Sequence, residues 1–308
     1  MTATLDTEGN LFAHLWEERA ALVAGFIAQG ERSLARVLGR LSDFERRHRL
    51  VLQREDGRLT GAASWIPQPP DPANRAFYPD GPATPEGTPL YAWAGLAGTL
   101  TIRPFHASYD HLIVPLARDL MRQRQFDAVV ELGSGFGDKL FRLYLAGAPR
   151  TIPYFGAELW DSGRRLADRL AKLEPDMDFR GVTLDLLDPD LSILAPFKNV
   201  LLLSNGAFYC VPSLPRTTFQ TLAGCAENVT GVHFEPVGHQ VAKDKPYLAG
   251  YYATTITQRD FNQNMIPLLL AAERQRVLKV EFLAPDLSMI SSGHPVSVAV
   301  WHSLGGAR

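Results

Sequence analysis

The residues with the most to offer chemically lie in the run Val129-Val130-Glu131-Leu132-Gly133-Ser134-Gly135-Phe136-Gly137. An apolar stretch delivers an acid, and three glycines follow at alternate positions. Glycine permits a tight turn and lets a ligand approach the backbone where another residue would carry a Cβ. A helix opening just beyond the turn would offer unpaired N–H groups to an anionic group. Two phosphate motifs fail here. A P-loop counted from Gly133 needs its second glycine at Asp138, and Lys139 is followed by Leu140 in place of a hydroxyl residue. The dinucleotide fingerprint, Gly-x-Gly-x-x-Gly, also needs its last glycine at Asp138, where a carboxylate would repel a pyrophosphate.

A second group with useful chemistry is Gly231-Val232-His233-Phe234-Glu235-Pro236-Val237-Gly238-His239. His233 has a side chain that titrates near neutrality. Strand alternation puts His233 and Glu235 on one face, which suits a base with its orienting acid and equally a structural hydrogen-bonded pair. Both readings stay open. His233, Glu235 and His239 lack the further spaced ligands of a metal site, so no metal is expected. Asn262 and Asn264 offer amides to an acceptor or caps to a turn. The cluster from Arg103 through His106 and Tyr109 to His111 either closes a pocket or joins two domains.

These residues need a scaffold, and the pattern supplies one. From about Ser108 short apolar runs alternate with helical stretches, the texture of βα units. Helices are predicted over about 109–124, 138–145 and 162–173, the last capped by Asp161 or Ser162. Strands are predicted at 126–132, 151–158, 179–183, 199–204, 229–234, 276–283 and 295–302. The connection through Ser291, Ser292 and Gly293 is too short for a helical crossover, so the last two strands pair antiparallel. Upstream, Leu11, Leu15, Leu22 and Phe26, then Leu34, Val37, Leu38, Leu41 and Phe44, repeat at helical spacing to about Glu55. The second helix is rich in arginine and reads as a solvated face. Prolines crowd the stretch from about Trp65 to Pro89, which reads as an ordered loop or linker.

The pattern Glu131-x-Gly133-x-Gly135-x-Gly137 resembles the first motif of the class I S-adenosylmethionine-dependent methyltransferases. The resemblance runs from about Tyr109 to the C-terminus. It implies an α/β fold, a doubly wound and mostly parallel seven-stranded sheet with a C-terminal antiparallel pair. The implied catalytic domain covers 106–308; the resemblance does not reach the helical N-terminal region over 1–105, which with its proline-rich loop is expected to cap the acceptor side. The implied cofactor is S-adenosyl-L-methionine. Glu131, Gly133, Ser134, Gly135 and Gly137 would border its methionine part, and Glu158 would take the ribose hydroxyls. Asp185 and the N–H of Leu186 would meet the adenine, Asn205 would lie beside the sulfonium, and Tyr109 would close the pocket. Tyr209, just beyond Asn205, joins His233 and Glu235 as a candidate catalytic residue. Where DNA- and protein-glutamine-methylating branches carry Asn-Pro-Pro-Tyr, this chain reads Asn205-Gly206-Ala207-Phe208. Amino-group methylation by that clamp is therefore not expected.

Composition narrows the class further. With 308 residues the chain can bury a large core, and a net charge of -2 gives no global attraction to nucleic acid. The two cysteines, Cys210 and Cys225, sit apart in apolar surroundings, as small buried hydrophobes do. No signal peptide and no membrane span are evident, so a cytoplasmic enzyme is expected, and the resemblance implies methyl transfer to a small-molecule, sugar or peptide acceptor. Monomer and homodimer both stay open. Two rivals remain: a NAD(P)-dependent oxidoreductase on a similar fold, and a scaffold that binds cofactor without catalysis.

Overall fold

The computed structural model describes residues 3–55, 58–67, 91–96, 99–104, 112–241, 261–290 and 296–305. Two helices open the chain, α1 (Ala3–Ala28) and α2 (Leu34–Arg47). A hairpin follows, β1 (His48–Glu55) with β2 (Arg58–Pro67), paired antiparallel and apart from the main sheet. Then come β3 (Tyr91–Leu96), β4 (Thr99–Pro104) and α3 (Ile113–Gln123). The βα series is β5 (Ala128–Leu132), α4 (Asp138–Leu145), β6 (Tyr154–Glu158), α5 (Asp161–Ala171) and β7 (Phe179–Thr183). It continues with β8 (Asn199–Asn205), α6 (Thr218–Ala223), β9 (Asn228–Glu235) and α7 (Met265–Arg274). The chain closes with β10 (Leu278–Ile290) and β11 (Val296–Ser303).

The main sheet runs β4-β3-β10-β11-β9-β8-β5-β6-β7. Strands β7, β6, β5, β8 and β9 are parallel neighbours. Strand β11 slots antiparallel between β9 and β10. Those seven strands are the expected doubly wound sheet with its antiparallel terminal pair. The sheet also carries two strands more, because β3 and β4 extend it beyond β10. The N-terminal region is thus not purely helical: the stretch expected to stay helical to Glu55 turns into β1 at His48.

Two apolar layers flank the sheet, and β5 feeds both. Val129 packs with the layer that holds α2, α3, α4 and α5, whereas Ala128, Val130 and Leu132 pack with the layer of α6 and α7. Strand alternation produces this split. Leu34, Val37, Leu38 and Leu41 of α2 are buried while Arg32, Arg36 and Arg40 are exposed, so the arginine-rich face is solvated. In α1 the seated residues are Trp16, Ala20, Val23 and Ile27, together with Leu22 and Phe26. Leu11 and Leu15 of the expected stripe are not among them, whereas its other two residues, Leu22 and Phe26, are.

The chain order reverses at β5, which has β6 on one side and β8 on the other. Open sheets of this kind bind ligands in the crevice outside the carboxyl ends of the strands at such a switch point. Here Gly133 and Gly206 leave the sheet at that point.

Candidate active site

The turn after β5 is built by its glycines. Gly133, Gly135 and Gly137 all have positive φ, at 65°, 56° and 78°. An L side chain is strained in that region. The turn is tied to β6, since the N–H groups of Gly133 and Ser134 donate to the carbonyl of Ala157 at 2.7 and 3.0 Å. Its bare positions are filled by the protein itself. A Cβ on Gly133 would meet Ala207 Cβ at 2.5 Å, and one on Gly135 would meet the Trp16 ring at 2.7 Å. One on Gly137 would meet Phe141 at 3.1 Å. The glycines therefore admit close packing from three sides around the turn.

Beside the turn lies a cavity of about 580 Å³. Its wall contains Glu131, Gly133, Ser134, Gly135, Glu158, Asp185, Leu186 and Asn205, residues from the ends of β5, β6 and β8 and from the loop beyond β7. Gly137 does not line it. Tyr109 and His106 lie outside the described residues, as do most of the proline-rich stretch and the connection at 291–295.

Glu158 organises one end of the cavity. Its two carboxylate oxygens accept the N–H of Gly135 at 2.7 Å and of Trp160 at 2.9 Å. Burial pushes its pKa above the ordinary value, opposed by those N–H groups and by Arg164. Arg164 also donates to the carbonyls of Glu158 and Leu159, which stiffens the exit from β6. The expected cap by Asp161 or Ser162 is absent: Trp160 precedes α5 without a side-chain cap, and Ser162 Oγ donates instead to Ala13 of α1 at 3.1 Å. Asp185 accepts the N–H of Leu187 at 2.8 Å and so shapes the loop that presents Leu186.

Also in the wall, Asp138 pairs with Lys139 at 2.9 Å and with Arg142 at 2.8 Å, and Arg142 reaches Ser42 of α2 at 2.7 Å. Burial raises the Asp138 pKa, but the two cations outweigh it and hold the carboxyl at about 2. Charge here is built as a compensated cluster.

His233 and Glu235 have a different setting. Both are fully buried, and neither lines the cavity. Trp301 Nε1 donates to His233 Nε2 at 2.8 Å, and Ser204 Oγ stands 2.9 Å from Nδ1. Ser204 Oγ in turn donates to Glu235 at 2.7 Å. These bonds fix the imidazole as the Nδ1–H tautomer. Burial drops its pKa to about 3, so the ring is neutral and both nitrogens are engaged. Gly231 leaves the space that the Trp301 indole fills. Glu235 accepts the backbone N–H groups of Ala207 at 3.1 Å and Tyr209 at 3.2 Å. It thereby pins the loop after β8, whose residues Asn205, Gly206, Ala207 and Cys210 line the cavity. Burial lifts its pKa to about 7. Of the two readings open for this pair, the bonds fit the structural one: it holds the wall from behind. Tyr209 is half-buried against Phe261, with ring centroids 4.9 Å apart, and is not part of the cavity lining.

Asn262 and Asn264 also brace this loop. Asn262 Nδ2 donates to Val211 O at 2.7 Å, and Asn264 Oδ1 accepts from Leu214 N at 2.9 Å. Their turn-forming role is the one realised. His239 Nε2 lies 2.9 Å from the Asn262 carbonyl and belongs to the same brace.

Several wall residues carry no motif: Phe12, Trp16 and Arg19 of α1, Leu41, Ser42 and Glu45 of α2, and the loop from Cys210 to Ser213. The spacing of Phe12, Trp16 and Arg19 by four and three residues is the one signal that marks a shared helix face.

No protein-family model matches this chain, and no curated protein does. Solved structures do. The N-terminal domain of EvdMO1, crystallised with SAH and D-fucose, is 14% identical over 63% of this chain and 82% of that one, with a TM-score of 0.39. Against the longer EvdMO1 the identity is 17%, the TM-score 0.39, and the match spans 62% of this chain but 40% of that one. The methyltransferase domain of bacterial-CtHen1-C is 13% identical over 63% of this chain and 97% of that one, with a TM-score of 0.41. The strand order and the terminal antiparallel pair are those expected from the sequence.

Proposed function

We propose that this chain is an S-adenosylmethionine-dependent methyltransferase acting on a small-molecule, sugar or peptide acceptor. The observation that carries the reading is the convergence of the glycine turn, Glu131, Glu158, Asp185 and Asn205 on one cavity at the switch point of the sheet. The wall fits such a ligand. Ser134 Oγ is buried there with no partner among the described residues, a state that is rare unless a ligand or water completes it.

In this reading the turn from Gly133 to Gly137 and Glu131 hold the methionine part. Glu158 takes the ribose hydroxyls, its carboxylate having lone pairs beyond those given to Gly135 and Trp160. Asp185 and the Leu186 N–H take the adenine. When bound, the cofactor supplies an electrophilic methyl group on a positively charged sulfur. Asn205, Gly206 and Ala207, with the loop from Cys210 to Ser213, form the wall on the acceptor side. Their task is alignment and exclusion of water, the terms that dominate an in-line transfer. Glu235 and His233 act by holding that wall. A volume of about 580 Å³ lies in the range of small-molecule sites.

Isothermal titration with S-adenosylmethionine and with S-adenosylhomocysteine tests the reading. Saturable heat with both is expected; heat with neither would sink it.

A further inference from the structure

Helix α1 is fixed against α5 and the glycine turn by interactions along its length. Ser162 Oγ donates to the Ala13 carbonyl at 3.1 Å, and Arg169 donates to the Ala20 carbonyl at 3.3 Å. Arg19, paired with Glu45 of α2, lies over the rings of Trp16 and Phe136 with 4.8 and 5.4 Å to the centroids. Trp16 meets Phe136 edge-on at 5.6 Å and Phe12 in a stack at 6.3 Å.

The orientation of the Trp16 indole is set by two glycines. Cζ2 and Cη2 lie 2.7 Å from the place a Gly135 Cβ would take. Cδ1 lies 3.1 Å from the place a Gly163 Cβ would take, a point also 3.1 Å from Glu158 Cγ. Nε1 sits on the ring edge between those atoms, so the N–H edge faces the corner formed by the turn, the start of α5 and Glu158. That nitrogen is buried with no acceptor among the described residues, although Trp16 lines the cavity. A buried donor left unpaired is costly, and native proteins seldom keep one.

Resting on the methyltransferase reading, we propose that Trp16 is a binding residue for the nucleoside end of the ligand. Its indole N–H donates to an oxygen of the group that Glu158 holds, and Phe12 and the indole ring roof that group. Helix α1 then belongs to the cofactor half of the site, in contrast to the acceptor-side cap expected for the N-terminal region. The chemistry fits a ribose: a diol gives its protons to the carboxylate and offers oxygen lone pairs to the indole.

The test is titration of the full chain with S-adenosylhomocysteine. Trp16→Phe keeps an aromatic side chain of smaller size and removes the donor. Its affinity should fall about three- to tenfold relative to wild type, the range of one lost hydrogen bond. Equal affinity in a folded variant overturns the proposal. Hydrogen exchange on the wild-type chain guards against a variant that does not fold. The amides of residues 12–20 should gain protection on addition of the same ligand, and unchanged exchange in a chain that binds it overturns the proposal. Failure of the wild type to bind at all is a different outcome, because it removes the methyltransferase reading itself.

Discussion

Glu158 ends β6 and Glu235 ends β9, and the two carboxylates share much. Both are buried, both are raised by burial, and both accept backbone N–H groups from the loop beside them. They differ in what lies on the other side. Glu158 keeps a face on the cavity because its partners, Gly135 and Trp160, approach from the turn and the start of a helix. Glu235 is enclosed by Ser204, Ala207 and Tyr209, with His233 and Trp301 behind them. A carboxylate at a strand end shapes the next loop in either case, and the packing beyond it decides whether a ligand can share it.

That contrast can be broken by substitution. Glu158→Ala should weaken S-adenosylhomocysteine binding about a hundredfold or more, since charged acceptors of hydrogen bonds are the strong ones. The measurement is calorimetric titration of a variant whose circular dichroism matches wild type. Glu235→Gln should act on stability first. It leaves one N–H or hydroxyl facing an amide NH2, at a cost of about 1–3 kcal/mol read from urea unfolding. Its effect on ligand affinity should stay well below that of Glu158→Ala. An equal loss of affinity in the two variants would erase the distinction between them.

The same pair sharpens under pH. The Glu235 pKa is lifted from 4.5 to about 7 by burial. Below 4.5 the carboxyl is protonated in folded and unfolded chains alike. As pH rises toward 7 the unfolded chain ionises first, so the contribution to stability is lost through that window and levels off above it. Unfolding midpoints measured from pH 5 to pH 8 should fall in wild type and fall less in Glu235→Gln. A wild-type profile no steeper than the variant's would contradict the buried setting. The smallest effect is expected at Arg36, whose side chain is 72% exposed on α2. Arg36→Ala should leave both the unfolding midpoint and ligand affinity unchanged.

The parallel strands and the glycine turn were legible because each is local: a continuous apolar run marks a strand buried on both faces, and three alternating glycines mark the turn. Strands β3 and β4 escaped because their pairing is remote. Tyr91–Leu96 joins the sheet through β10, near residue 290, a partner that no local pattern announces. Strand β1 escaped because its arginines continue the composition of α2. His233 was legible as a strand residue but not as a buried one, since the indole that engages it comes from Trp301. Trp16 was missed for the same reason. Its environment is made by Gly135 and Gly163, which no helical periodicity in α1 reveals.

The most direct test of the central claim is a crystal structure with S-adenosylhomocysteine bound. The ligand should lie between the turn at Gly133 to Gly137 and Glu158, with ribose oxygens within hydrogen-bond distance of that carboxylate. A ligand bound elsewhere on the chain, or one whose ribose lies away from Glu158, would contradict it.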